Sequence, residues 1–140
     1  MPSVFIDSGA WIALLNSRDR LHQRALETFR SLPPRTHFIT TNYVVSEAVT
    51  WFIYNGFRYA AFQMRDMIAA SQQQELTTLA WITEELQDQA WSYVERFSDQ
   101  KMSFCDCASF VVASRYDVDF VFGFDNDFRI AGFDLRPGPD

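Results

Sequence analysis

The sequence predicts an α/β fold: a three-layer α/β/α sandwich around a central parallel sheet of four or five strands. Three observations carry this. The strand-like segments are short unbroken apolar runs, such as VFI near the start and FVFGF near the end, as expected of strands covered on both faces. Longer segments with helical spacing separate them. The chain has 140 residues, 48% hydrophobic with 14 Phe, enough for one sizeable core and no more, so a single domain over residues 1–140 is expected.

Val4 to Ile6 forms the first strand, and a helix from about Ser8 to Asn16 follows at once, with Asp7 or Ser8 as its cap. Asp19 opens a second helix whose apolar stripe runs through Leu21, Ala25, Leu26 and Phe29; Pro33 and Pro34 end it. HFIT is a short buried strand, and Thr40 or Thr41 caps a third helix running to about Tyr54, where Asn55 and Gly56 stop it. Residues 57 to 70 make a fourth helix. A strand from Leu76 to Ala80, helices from Glu84 to Phe97 and Phe104 to about Tyr116, and strands at Phe120 to Phe124 and Asp134 to Arg136 complete the chain. No repeat, low-complexity tract or linker interrupts it.

The acids carry the chemistry. Asp7, Glu47, Asp106 and Asp125, with Asp127 close behind, lie in apolar sequence with almost no Lys or Arg nearby. An ionised carboxyl in such surroundings costs several kcal/mol unless it is paired or holds a metal. Each acid also has a local explanation. Asp7 can cap the helix it precedes, Asp106 completes a capping-box-like S-x-x-D with Ser103, and Asp125-Asn126 is an ordinary turn pair. Glu47 resists this, lying beyond the first helical turn as the only charged residue between Arg35 and Arg58. Beside Tyr43, Val44 and Trp51 it faces inward or into a cleft; the alternative is an exposed stripe with Ser46 and Thr50. Because ligands gather beyond the carboxyl ends of parallel strands, where Asp7 and Asp125 fall, one acidic metal pocket explains the set better than separate accidents.

Oxygen-only ligands select a hard cation, Mg²⁺ or Mn²⁺, rather than zinc. His22 and His37 stand in no ligand spacing and are expected at the surface or its boundary, and without a His or Lys base, metal-free RNA cleavage by acid–base chemistry is disfavoured. Cys105 and Cys107, two apart on a helix, neither bridge nor chelate together, so a reduced setting is expected. VFIDSGAWIALLNS is too short to span a bilayer and Asp7 interrupts it, which leads us to expect an unexported cytoplasmic protein with no membrane partner. The net charge of −6 argues against nucleic acid. Bound metal would offset part of it, however, and the basic residues are almost all Arg, the better fork for phosphate.

Taken in order, VFIDSGAWIALL, TTNYVVSEAV, SFCDCASF and FGFDNDF resemble the PIN domain of VapC-type toxins over essentially the whole chain. The resemblance implies a toxin of a type II toxin-antitoxin pair, a Mg²⁺- or Mn²⁺-dependent endoribonuclease hydrolysing structured RNA through metal-activated water and leaving 5′-phosphate and 3′-hydroxyl ends. Asp7, Glu47, Asp106 and Asp125 match the four acidic positions, while Asp127 tunes the site or closes the turn. Arg58, Arg65 and Arg129, with Arg18, Arg20 and Arg24, are candidates for a phosphate-binding rim. A small antitoxin laying apolar side chains in a groove and a homodimer are also implied, with Trp11, Trp51, Phe57 and Phe62 as candidate exposed aromatics. The alternatives are a catalytically silent PIN-like binding module and a receiver-like Mg²⁺ signalling domain. The receiver needs a second acid beside Asp7 and a late-strand Lys, whereas Lys101 precedes a helix.

Overall fold

The computed structural model describes residues 1–139. Five parallel strands, β1 (Ser3–Ile6), β2 (His37–Thr41), β3 (Thr77–Ala80), β4 (Phe120–Gly123) and β5 (Leu135–Pro137), lie in the order β3-β2-β1-β4-β5. The central strand β1 and its neighbour β4 are the most apolar, and Val4, Phe5, Ile6, Phe120, Val121 and Phe122 are all at most 5% exposed, as strands covered on both faces must be.

The first connection is α1 (Ser8–Leu15) and α2 (His22–Arg30), the second α3 (Asn42–Tyr54) and α4 (Arg58–Gln73), and the third α5 (Glu84–Arg96) and α6 (Phe104–Arg115). Helix α1 packs on α2, α3 and α4, while α5 packs on α6. This grouping follows from strand order. The first two crossovers step the same way along the sheet, and a right-handed path puts their helices on one face. The third steps back, placing α5 and α6 on the other.

The boundaries differ from expectation in a few places. The second helix begins at His22 because Asp19 is spent on a turn, its Oδ1 accepting from Leu21 N at 2.8 Å. The fourth helix runs on to Gln73, and the last strand is displaced by a residue to Leu135–Pro137. A one-turn helix absent from the sequence reading, α7 (Asp127–Ile130), fills the loop after β4. Its Phe128 is fully buried with its ring 5.1 Å from Phe110 and 6.3 Å from Phe5, pinning that loop to the core. Trp11 is core rather than surface at 5% exposed. Trp51 and Phe57 are half-buried and stacked on each other, and of the four candidate aromatics Phe62 is the exposed one. His22 and His37 are half-buried boundary residues, the latter bonded to Thr78, and both cysteines are free thiols. No described helix is long and apolar enough to cross a membrane.

Candidate metal centre

Between β1 and β4 the strand order reverses, so the loops leaving these neighbours part in opposite directions and open a crevice at the sheet's carboxyl edge. Ile6 pairs with Phe122, which sets Asp7 beside Gly123. A Cβ at Gly123 would lie 3.2 Å from Asp7 Cβ, so the missing side chain is what lets the Asp7 carboxylate fit against β4. Asp7 has the backbone of a helix cap yet makes no side-chain cap bond to α1, and its buried Oδ1 has no hydrogen-bond partner. Capping therefore does not use up the Asp7 carboxylate: its Oδ1 is left for the crevice.

Asp106 arrives from the other face of the sheet. Ser103 caps α6 by accepting from Asp106 N at 3.0 Å, which places Asp106 in the first turn with its carboxylate toward Asp7. Here the cap is real, and it is made by Ser103 rather than by the acid. Glu47 is held by the Ser8 hydroxyl, which donates to Oε1. It is solvent-exposed, sharing a stripe with Ser46 and Thr50, and at the same time borders the crevice, so both readings of this residue describe part of its position. Asp125 Oδ1 accepts from Asp127 N at 2.9 Å, closing the turn into α7.

Asp7, Glu47, Asp106 and Asp125 thus line one cavity of about 480 Å³, with Ser8, Gly9, Ser103 and Phe124 completing the wall. Asp127 lies beside it. Carboxylate oxygens of Asp106, Asp125 and Asp127 come within 4.8 Å of one another, close enough to share one ion, and Asp7 and Glu47 line the same crevice. Among the described residues no ion pair involves any of these five acids.

The electrostatics follow. Burial, then the charge of Asp106, holds the Asp7 carboxyl well above the usual carboxylate range, with Glu47 and Asp125 adding to it and the Ser8 backbone N–H opposing it. Burial and the charge of Asp125 lift Asp106 to about 7, against a partial lowering by Ser103. Asp127 is raised by burial and by Asp125, and the Cys105 thiol is pushed up by burial and by Glu47. Asp7 and Asp106, unpaired and resisting ionisation, are carboxylates that a multivalent cation would relieve. The orphaned Asp7 Oδ1 and the oxygen-only donor set fit a hard divalent ion.

The arginines fare differently. None of Arg58, Arg65 and Arg129 lines the acidic cavity. Arg65 pairs with Asp66 and lies 5.2 Å over Phe62, and Arg129 donates to Leu135 O with its guanidinium packed against Gly138. Of the candidate rim, Arg24 comes near, 5.6 Å over the Phe124 ring that walls the cavity, and it also donates to Pro137 O.

Comparison with known proteins decides the family. The PIN domain signature matches residues 4–134. The chain belongs to the PIN domain family. It is 32% identical over 135 residues to the 23S rRNA-specific endonuclease VapC20 of Mycobacterium tuberculosis, covering 96% of this chain and 98% of that protein. The crystal structure of VapC20, described as a sarcin-ricin-loop-cleaving toxin, superposes with a TM-score of 0.79 at 30% identity over 93% of this chain and 95% of the other. The crystal structure of VapBC2 from Rickettsia felis, bound to a promoter DNA fragment, matches with a TM-score of 0.69 over 99% of both chains, but at 8% identity it speaks to the fold alone. The order β3-β2-β1-β4-β5 also sets this PIN domain apart from the 2-1-3-4-5 sheet of flavodoxin-like receivers, removing that alternative.

Proposed function

We propose that this PIN-domain protein is a metal-dependent endoribonuclease of the VapC toxin class, hydrolysing phosphodiester bonds in structured RNA. The observation that carries the reading is the convergence of Asp7, Glu47, Asp106 and Asp125, scattered over most of the chain, on one crevice. The likeness to a 23S rRNA-specific endonuclease at 32% identity over nearly its whole length supports ribosomal RNA as the substrate class.

Asp106, Asp125 and Asp127 hold Mg²⁺ or Mn²⁺, with the unpartnered Asp7 Oδ1 as a further donor. The ion supplies positive charge that acidifies water and offsets the charge gathering on the phosphate. Glu47, outside the closest trio and steadied by Ser8, orients the attacking water and accepts its proton. Phe124 and Arg24 beside it form one wall for the substrate backbone. In the cytoplasm, a small antitoxin would keep the activity in check, and two copies of the chain would form the working unit.

Cleavage of ribosomal RNA with and without Mg²⁺, beside Asp7→Asn and Glu47→Gln, tests this. The parent should cut only with metal and leave 5′-phosphate ends, and each variant should lose about 10²-fold or more. Variants cutting as well as the parent, or products ending in 2′,3′-cyclic phosphate, would refute it.

A further inference from the structure

Glu47 borders two cavities. The second, of about 390 Å³, is lined by Tyr43, Ser46, Thr50 and Cys105 as well as Glu47, and so continues the acidic crevice along α3 toward α6. From Tyr43 a row of rings leads outward. Phe104 lies 6.4 Å from Tyr43, and Trp91 lies 4.9 Å from Phe104 with 55% of its surface exposed. Gln87 donates to the Tyr43 hydroxyl and fixes that ring.

A polynucleotide crossing the acidic crevice must lay its next residues somewhere, and the second cavity has no Lys or Arg in its lining to hold them by charge. The carboxylates make the mouth negative, and Arg58, Arg65 and Arg129 line neither cavity. Stacking and hydroxyl hydrogen bonds remain, and these suit unpaired nucleotides, whose faces and edges are free, rather than a closed A-form helix. We propose that the cavity beside Glu47 and the row Tyr43, Phe104 and Trp91 form a binding track for unpaired nucleotides of an RNA loop next to the bond that is cut. Trp91 stacks a base, and the Ser46 and Thr50 hydroxyls meet a ribose or base edge. The choice of bond rests on the ribonuclease reading; the binding does not.

The test is fluorescence anisotropy of a labelled RNA hairpin with an unpaired loop and of the matching closed duplex. Ca²⁺ replaces Mg²⁺ so that the acids' charge is offset while cleavage is slowed. The parent should prefer the hairpin, and Trp91→Ala should weaken it about tenfold while Trp91→Phe restores most of the affinity, as stacking requires. Tyr59→Ala, which removes another exposed aromatic on α4, should change nothing. In the Mg²⁺ assay Trp91→Ala should raise KM and spare kcat. A parent that fails to prefer the hairpin, or Trp91→Ala binding it as the parent does, overturns the track and leaves metal-dependent cleavage standing. Loss of hairpin binding in Trp91→Ala by a parent that never cleaves supports the track and removes the ribonuclease reading instead. Unchanged RNA affinity with weakened binding of a protein partner assigns the face to that partner and overturns the proposal.

Discussion

Asp7 and Asp106 are buried carboxylates that the fold holds more protonated than the unfolded chain would. A carboxyl with a raised folded-state pKa contributes stability that is fully present below its ordinary value of 3.8 and is lost as pH rises through about 7 for Asp106. The metal-free protein should therefore lose stability between about pH 4 and pH 8, on the order of several kcal/mol. Thermal denaturation in chelator at a series of pH values reads this. Asp106→Asn should flatten the slope, Asp7→Asn should flatten it further, and saturating Mg²⁺ should reverse its sign. A parent whose Tm is indifferent to pH would mean that the acids are solvated. At this scale the sequence was informative where an acid had no local use, as with Glu47, and ambiguous where a cap would do. The ambiguity at Asp7 is resolved by a bond the carboxylate does not make, which no sequence displays. The arginines were the least legible. A long side chain finds whichever acid, carbonyl or ring the tertiary fold brings near, as Arg129 does at Leu135.

Helices α3 and α6 deliver Glu47 and Asp106, and each begins at a hydroxyl cap, Thr41 accepting from Val44 N and Ser103 from Asp106 N. Replacing either cap by Ala should cost about 1 kcal/mol in chemical denaturation. The two should part in activity. Thr41→Ala leaves the acids in place, whereas Ser103→Ala removes a hydroxyl that steadies Asp106 and walls the cavity, so its kcat should fall several-fold more. Equal effects would show that Ser103 serves the helix alone. Strands and long helices were readable because apolar runs and spacing are properties of the chain itself. Helix α7 was not, since four residues hold no period and Asp-Asn signals a turn; what makes it a helix is Phe128 reaching Phe110, a contact between distant segments.

The whole molecule turns a reversal of strand order into a site. Because β1 and β4 are neighbours whose chains continue in opposite directions, Asp7 and Asp125 meet although 118 positions separate them in the chain. Helices from both faces add Glu47 and Asp106. The parallel sheet and its carboxyl edge could be anticipated from sequence, but which of the acids come closest together could not. Asp127 joins Asp106 and Asp125 only because α7 bends it back. In the proposed function, cations held at this convergence would offset part of the net charge of −6 where the phosphate must come. Calorimetric titration of Mn²⁺ into the parent and into Asp106→Asn, Asp125→Asn and the surface control Asp88→Asn tests this most directly. The expected result is a defined Mn²⁺ site in the parent, weakened about tenfold or more by the first two substitutions and untouched by the third. Equal Mn²⁺ affinity in all four proteins would contradict a shared acidic metal centre.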